Sequence, residues 1–164
     1  MLLTVNPDGS ANGPILPDYG GFMSAREQQP QQVLDWFRAA DHDAGESRAT
    51  AVSLGGDDTE PYAFLVALFM PGVHPFGFRP ISAGPQQWLF APDGSWACHR
   101  VDEGVVEQFG ARNLWDEVED AHRLWRRLGR PERGQFGLTI GTDSVHTLWL
   151  GDPDIEKSWR LPAP

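Results

Sequence analysis

Three tight-turn signatures, Pro7-Asp8-Gly9, Pro92-Asp93-Gly94 and Gly141-Thr142-Asp143, constrain this chain more than any other feature of it. In such turns an Asp side chain bonds the backbone two residues on and a Gly accepts a left-handed conformation, so the flanking strand-like runs fold back as hairpins. The runs pair naturally as 2–6 with 10–16, 86–91 with 95–101, and 136–140 with 145–150. The central pair carries the strongest signal, because Trp88, Phe90, Trp96 and Cys98 alternate as apolar positions, and a further strand is expected over 105–109. The first run opens directly after Met1, which leaves a neighbour for it to be found elsewhere.

Two helices complete the pattern. Val33, Leu34, Trp36, Phe37 and Ala40 recur at three- and four-residue steps, which predicts a short amphipathic helix ending near residue 41. Asn113 is placed to cap a longer one in which Leu114, Val118, Ala121, Trp125 and Leu128 form one stripe and Gly129 and Pro131 enforce the stop. Its acidic residues come early and Arg123, Arg126 and Arg127 late, as the helix dipole favours. Residues 48–54 alternate weakly as a strand, 62–70 fit a buried strand or a short helix, and Pro71, Gly72, Pro75, Gly77 and Pro80 make 71–80 an expected ordered loop. The fold class is α+β, a mostly antiparallel sheet with two helices. A polar connector at 28–32 places a boundary near residue 30, giving a hairpin region 1–30 and an α+β region 31–164.

A length of 164 residues suits one modest core. With 23 acidic and 13 basic residues the net charge is −10, present in both halves of the chain, so attraction to nucleic acid or anionic lipid is disfavoured. Cys98 is the single cysteine, which excludes an internal disulfide and fits a reducing cytosol. The longest apolar run is too short to span a bilayer, and the start lacks a signal-peptide pattern. A soluble cytoplasmic protein is expected.

Candidate chemistry is sparse. His42 with Asp41, Asp43 and Glu46 reads as a solvated turn before it reads as a metal cluster, and no metal site is assigned. Cys98 and His99 are adjacent in a strand and therefore face opposite ways, so a core cysteine beside an exposed histidine is expected in place of a nucleophile and base. Gly55-Gly56-Asp57-Asp58 lacks the phosphate-loop lysine, Asp93-Gly94-Ser95 is no nucleophile elbow, and His122 has no second ligand to answer it. Among seven tryptophans, Trp88, Trp96, Trp125 and Trp149 suit a core, whereas Trp115 lies off the helix stripe and is a candidate for a peptide groove. Arg26 and Arg112 are candidates to receive a carboxylate.

The residues 3–13 and 21–28, together with Met70-Pro71-Gly72-Val73, Asp93-Gly94-Ser95-Trp96-Ala97, the run 110–119, Gly129-Arg130-Pro131, Phe136-Gly137-Leu138-Thr139 and Leu148-Trp149-Leu150, carry a resemblance. In order and spacing they resemble the C-terminal region of actinobacterial protein-L-isoaspartate O-methyltransferase homologues associated with peptide natural-product clusters. Members of that family join an S-adenosylmethionine-dependent core to a C-terminal extension and methylate an aspartate or isoaspartate carboxylate. The resemblance implies that 1–30 is the closing hairpin of such a core and 31–164 the accessory domain. The family's glycine-rich cofactor segment has no counterpart here, so no cofactor is assigned to this chain, and S-adenosylmethionine enters only if a core is supplied elsewhere. By that analogy Phe22, Met23 and Arg26 lie near the active-site side, and with Arg112 and Trp115, singled out above, they are the expected substrate-binding residues.

The leading expectation is therefore a non-catalytic accessory or substrate-recognition module whose partners are a methyltransferase chain and a peptide. A stand-alone acidic, immunity-type protein binding a basic partner is the alternative, ahead of a small-molecule-binding barrel and an independent enzyme.

Overall fold

A computed structural model describes residues 3–17, 31–40, 44–54, 60–81, 84–151 and 157–161. In chain order the elements are β1 (Thr4–Val5), β2 (Ala11–Pro14), α1 (Gln31–Ala39), β3 (Glu46–Ala49), α2 (Glu60–Phe69), β4 (His74–Phe78), β5 (Gln86–Phe90), β6 (Trp96–Arg100), β7 (Val105–Phe109), α3 (Leu114–Arg127), β8 (Phe136–Ile140), β9 (His146–Leu150) and β10 (Ser158–Arg160). All strand pairs are antiparallel and the fold is α+β, as the turn signatures require. Contacts group the chain into two compact units, 1–22 with 125–164 and 23–124.

The unit made of both chain ends holds a sheet ordered β1-β2-β8-β9-β10. The neighbour of the first hairpin comes from the far end of the sequence: β2 pairs with β8 from Ala11 opposite Ile140 to Pro14 opposite Gly137. Gly13, Leu138, Leu148 and Trp159 align across the strands on one face, where Leu138 and Leu148 are buried along with Phe136. On the other face Asn12, Thr139 and Thr147 are polar, and Trp149 lies flat across Gly137, where any Cβ would collide with its ring. The Trp149 indole N–H donates to Thr139 Oγ1 at 3.2 Å. Strand β10, three residues paired to β9, carries too little pattern to be expected from the sequence.

The central unit holds a sheet ordered β3-β7-β6-β5-β4. Within 71–80, expected as an ordered loop, His74–Phe78 form a strand. β4 pairs only with β5 and so lies at an edge, where half the backbone N–H groups need no ladder partner and Pro75 is tolerated. The ambiguous run 62–70 is helical: Tyr62, Leu65, Val66 and Met70 are its buried side chains, at helical steps. A third helix is thereby added to the two expected.

Both faces of this central sheet are apolar. Trp88, Phe90, Trp96 and Cys98 form a buried cluster with Val33 of α1, with Trp36, Phe37 and Phe76 packed against it. Leu89, Ala97 and Val106 point the other way and are equally buried. The larger of these side chains, such as Leu89, Val106 and Phe90, each contribute about 1.5–3 kcal/mol by leaving water.

Candidate functional site

The corner where β5 turns into β6 and β7 leads into α3 brings together two stretches that are far apart in sequence. Asp93 Oδ1 accepts the Ser95 N–H at 2.9 Å, closing the Asx turn that the sequence advertises, and Gly94 takes φ of 87°. Ser95 Oγ accepts the Arg112 N–H at 3.0 Å, while Gly110, at φ of 109°, lets its backbone lie against Ser95. Ser95 is 1% exposed and is a brace between two turns, consistent with the absence of an elbow motif around it.

Arg112 and Trp115, two of the expected substrate residues, are placed by this corner. The Arg112 Nε and Nη2 donate to the Glu117 carboxylate at 3.0 and 2.7 Å, so the carboxylate it receives belongs to α3 itself. Glu117 holds the Arg112 guanidinium above its ordinary pKa. Trp115 is 0% exposed, so it presents no surface to a groove. Its backbone N–H donates to Gln108 Oε1 at 3.0 Å and its indole N–H to Thr50 Oγ1 at 3.1 Å. The Thr50 hydroxyl donates to Glu119 Oε1 at 2.7 Å, and Arg48 closes the network on Glu119 at 2.8 Å and on Asp116. Burial would raise the Asp116 and Glu119 carboxyls, but hydrogen bonds from Gln108, Arg48 and Thr50 outweigh it and hold both below their ordinary values. Phe22, Met23 and Arg26, like His42 and residues 55–58, lie outside the described residues.

Cys98 and His99 do face opposite ways, but His99 is not exposed. It is 2% accessible, because α3 covers the second face of the sheet as α1 covers the first. The His99 ring lies 4.8 Å from that of Trp115, and its Nδ1 is 3.0 Å from Gln87 Oε1. The same Gln87 oxygen accepts the Leu54 N–H, which identifies it as an acceptor and His99 Nδ1 as the donor. Burial lowers the His99 pKa and pushes the Cys98 thiol up to about 12. A thiol so protonated, with the imidazole across the sheet from it, is an inert pair. His122 is likewise a packing residue, its ring 4.9 Å from that of Tyr62.

Beside this corner a recess of about 110 Å³ opens between α1 and the β5–β6 turn, walled chiefly by Trp36, Ala39, Ala40, Phe90, Ser95 and Trp96. The short side chains at 39 and 40 leave the space, and the aromatic rings line it. Only the pairing of α1 with this hairpin, seventy residues of chain folded together, puts them in one place. The alternating aromatic pattern and the alanine pair are visible in sequence, but nothing there joins them.

Among the described residues no group of His, Cys, Asp and Glu is placed to hold a metal, and no helix is long and apolar enough to cross a membrane. A nucleotide-type cofactor such as S-adenosylmethionine needs open backbone N–H groups at a strand–glycine–helix junction. The β7–α3 junction has that order, but Ser95 fills the space above Gly110 and takes the Arg112 N–H, so these residues do not fit such a group.

No protein-family model, curated protein or solved structure matches the chain. Fold and site define an α+β protein of two antiparallel sheets with a small aromatic recess and a braced, internally saturated polar corner.

Proposed function

We propose that this chain is a non-catalytic peptide-recognition module, similar to the C-terminal part of actinobacterial protein-L-isoaspartate O-methyltransferase homologues, serving a methyltransferase core carried elsewhere. One observation supports the reading above the others: the stretch Asp93-Gly94-Ser95-Trp96-Ala97, which carries part of the resemblance, spends its polar atoms on internal bracing and lends Ser95 and Trp96 to the wall of the recess. A cavity of about 110 Å³ with Trp36, Phe90 and Trp96 around it suits one apolar side chain of a peptide. In this role the chain supplies binding and orientation, and the cofactor and the transferred methyl group belong to the catalytic partner.

Methyl-ester formation on an aspartate-containing peptide, with a family methyltransferase core supplied separately, tests the reading. Addition of this chain is expected to lower KM several-fold at unchanged kcat, and Ala39→Trp, which fills the mouth of the recess, to abolish the gain. An unchanged KM sinks the proposal.

A second reading rests on charge. The unit 23–124 holds sixteen acidic and seven basic residues, enough to steer a basic partner. Such a complex should weaken sharply between 50 and 500 mM salt, while an apolar side chain in the recess should hold.

A further inference from the structure

The recess beside the β5–β6 turn has an uncharged lining and sits in the acidic part of the chain. Trp36, Ala39, Ala40, Phe90, Ser95 and Trp96 are its chief walls, and none carries a formal charge. Unit 23–124, which holds all of them, has sixteen acidic and seven basic residues. Most of those arginines are already matched inside the unit: Arg38 by Asp35, Arg48 by Asp116 and Glu119, Arg100 by Glu103 and Glu107, Arg112 by Glu117, and Arg123 by Asp120. The surplus charge is therefore carboxylate, and an occupant of positive charge is favoured over an acidic one.

Two features select the chemistry of that occupant. The first is the set of rings. Phe90 and Trp96 are buried and form the inner wall, whereas Trp36 is half-buried and Ala39 is exposed at the mouth. The His74 ring braces Trp36 at 5.4 Å, and Phe109, the cross-strand partner of Trp96 in β7, stacks on Trp96 at 6.1 Å. Aromatic faces attract a cation through their quadrupole, and an apolar wall accepts the methylene stem that carries it. The second feature is the Asp93 carboxylate. It belongs to the turn whose Ala91, Gly94 and Ser95 line the recess, and its Oδ1 lies 2.9 Å from the Ser95 backbone nitrogen. That hydrogen bond holds the Asp93 carboxyl below its ordinary value, so the group is ionised at neutral pH. Arg112 is near enough to lower it further, but its guanidinium is gripped by Glu117 in two hydrogen bonds, so the three groups together leave one negative charge beside the recess.

We propose that the recess is a lysine site: a partner peptide places the methylene stem of one lysine between Trp36, Ala40 and the Phe90–Trp96 wall, and its ammonium meets Asp93 at the mouth. The inference rests on the reading of the recess as a peptide side-chain site and names the residue type that it takes. Norleucine offers nearly the same stem without the charge and glutamate reverses the charge, so the identity of the occupant can be separated from the existence of the site.

Titration of the isotope-labelled full chain, followed by NMR at the indole N–H groups of Trp36 and Trp96, tests it with three Gly-Ser peptides that differ only in a central lysine, norleucine or glutamate. At 50 mM salt the lysine peptide is expected to shift both signals and the Ser95 amide, to leave the indole of Trp115 on the opposite face of the sheet unmoved, and to bind at least fivefold more tightly than the norleucine peptide. The glutamate peptide should bind more weakly than either. Raising the salt to 500 mM should remove most of the lysine advantage. Asp93→Asn keeps the turn, because an amide oxygen accepts the same Ser95 N–H, and should bring the lysine affinity down to the norleucine value. Ala39→Trp should abolish the response to every peptide. A norleucine peptide that binds as tightly as the lysine one, or an Asp93→Asn variant with unchanged lysine affinity, overturns the lysine assignment and leaves the recess as an apolar site. No shift at Trp36 and Trp96 with any peptide overturns it together with the recess reading.

Discussion

The two units each build a five-stranded antiparallel sheet, and they treat its faces differently. In unit 23–124 helices cover both faces, and even His99 and Gln87 are drawn into the packed layer. In the unit made of the chain ends one face carries Phe136, Leu138 and Leu148, and the other is polar apart from Trp149 lying across Gly137. Charge divides along the same line, with sixteen acidic and seven basic residues in one unit and seven and six in the other. Where a helix closes over the sheet the buried Gln108 needs partners, and it is bonded to Asp116 and Trp115, while Arg48, Thr50 and Glu119, only partly buried, join the same network.

The contrast can be broken most forcefully at Trp115. Trp115→Ala empties a fully buried site and removes the indole N–H that Thr50 accepts, while the backbone N–H to Gln108 stays, so a loss of about 3–5 kcal/mol is expected in urea denaturation, with amide protection disappearing from β5, β6 and β7. A loss below about 1 kcal/mol would mean that the second face of the central sheet is not closed. In the one-sided sheet Gly137→Ala forces Trp149 off its seat, with an expected cost of about 1–3 kcal/mol. Near-neutral behaviour would show that the indole has room to move.

Glu119→Gln, which removes the charge that Arg48 and Thr50 converge on, should cost about 1–2 kcal/mol. Arg48→Gln, at a side chain more than a third exposed, should cost no more than about 1 kcal/mol, and the double variant should reveal coupling between them.

Acid titration sharpens the same comparison. Burial lowers the His99 pKa, so the unfolded chain binds the proton first. Stability is then constant above about pH 6.5 and falls as pH drops from the unfolded value toward the folded one. Asp116 and Glu119 are held below their ordinary values, so their contribution is intact above the ordinary carboxylate range and is lost as pH falls through their depressed folded values. Two successive losses are expected in wild type, and His99→Gln should remove the first alone. A single acid transition unchanged by that substitution would contradict the buried placement of His99.

Much of the fold was legible because its signals are local. The three turns, the stripe of α3 and the alternation of Trp88, Phe90, Trp96 and Cys98 each lie within about fifteen residues, and each is an element or a face in the structure. Two of the four edge strands were not legible: β4 carries Pro75 and β10 is three residues long, so neither shows the pattern that a doubly paired strand requires. The site was legible only in fragments. Arg112 was singled out as a carboxylate receptor and does hold one, that of Glu117, four positions into the next helix. Trp115 was assigned to a groove because a helical stripe gives one buried face, and this helix buries more than one stripe once Thr50 and Gln108 close around it.

By itself, then, the sequence determined the hairpins, the long helix, the acidic balance and the antiparallel α+β class, since short-range periodicity and turn chemistry suffice for those. Tertiary structure alone decided that the first hairpin finds its neighbour in β8, that the central sheet is covered on both faces, that Ala39 and Ala40 open a recess against Trp96, and that Arg130 rests over Trp125. Three of these pairings join residues tens or more than a hundred positions apart, and the last depends on a left-handed turn that composition does not encode. Their energies come from surfaces meeting in space, to which a local pattern is blind.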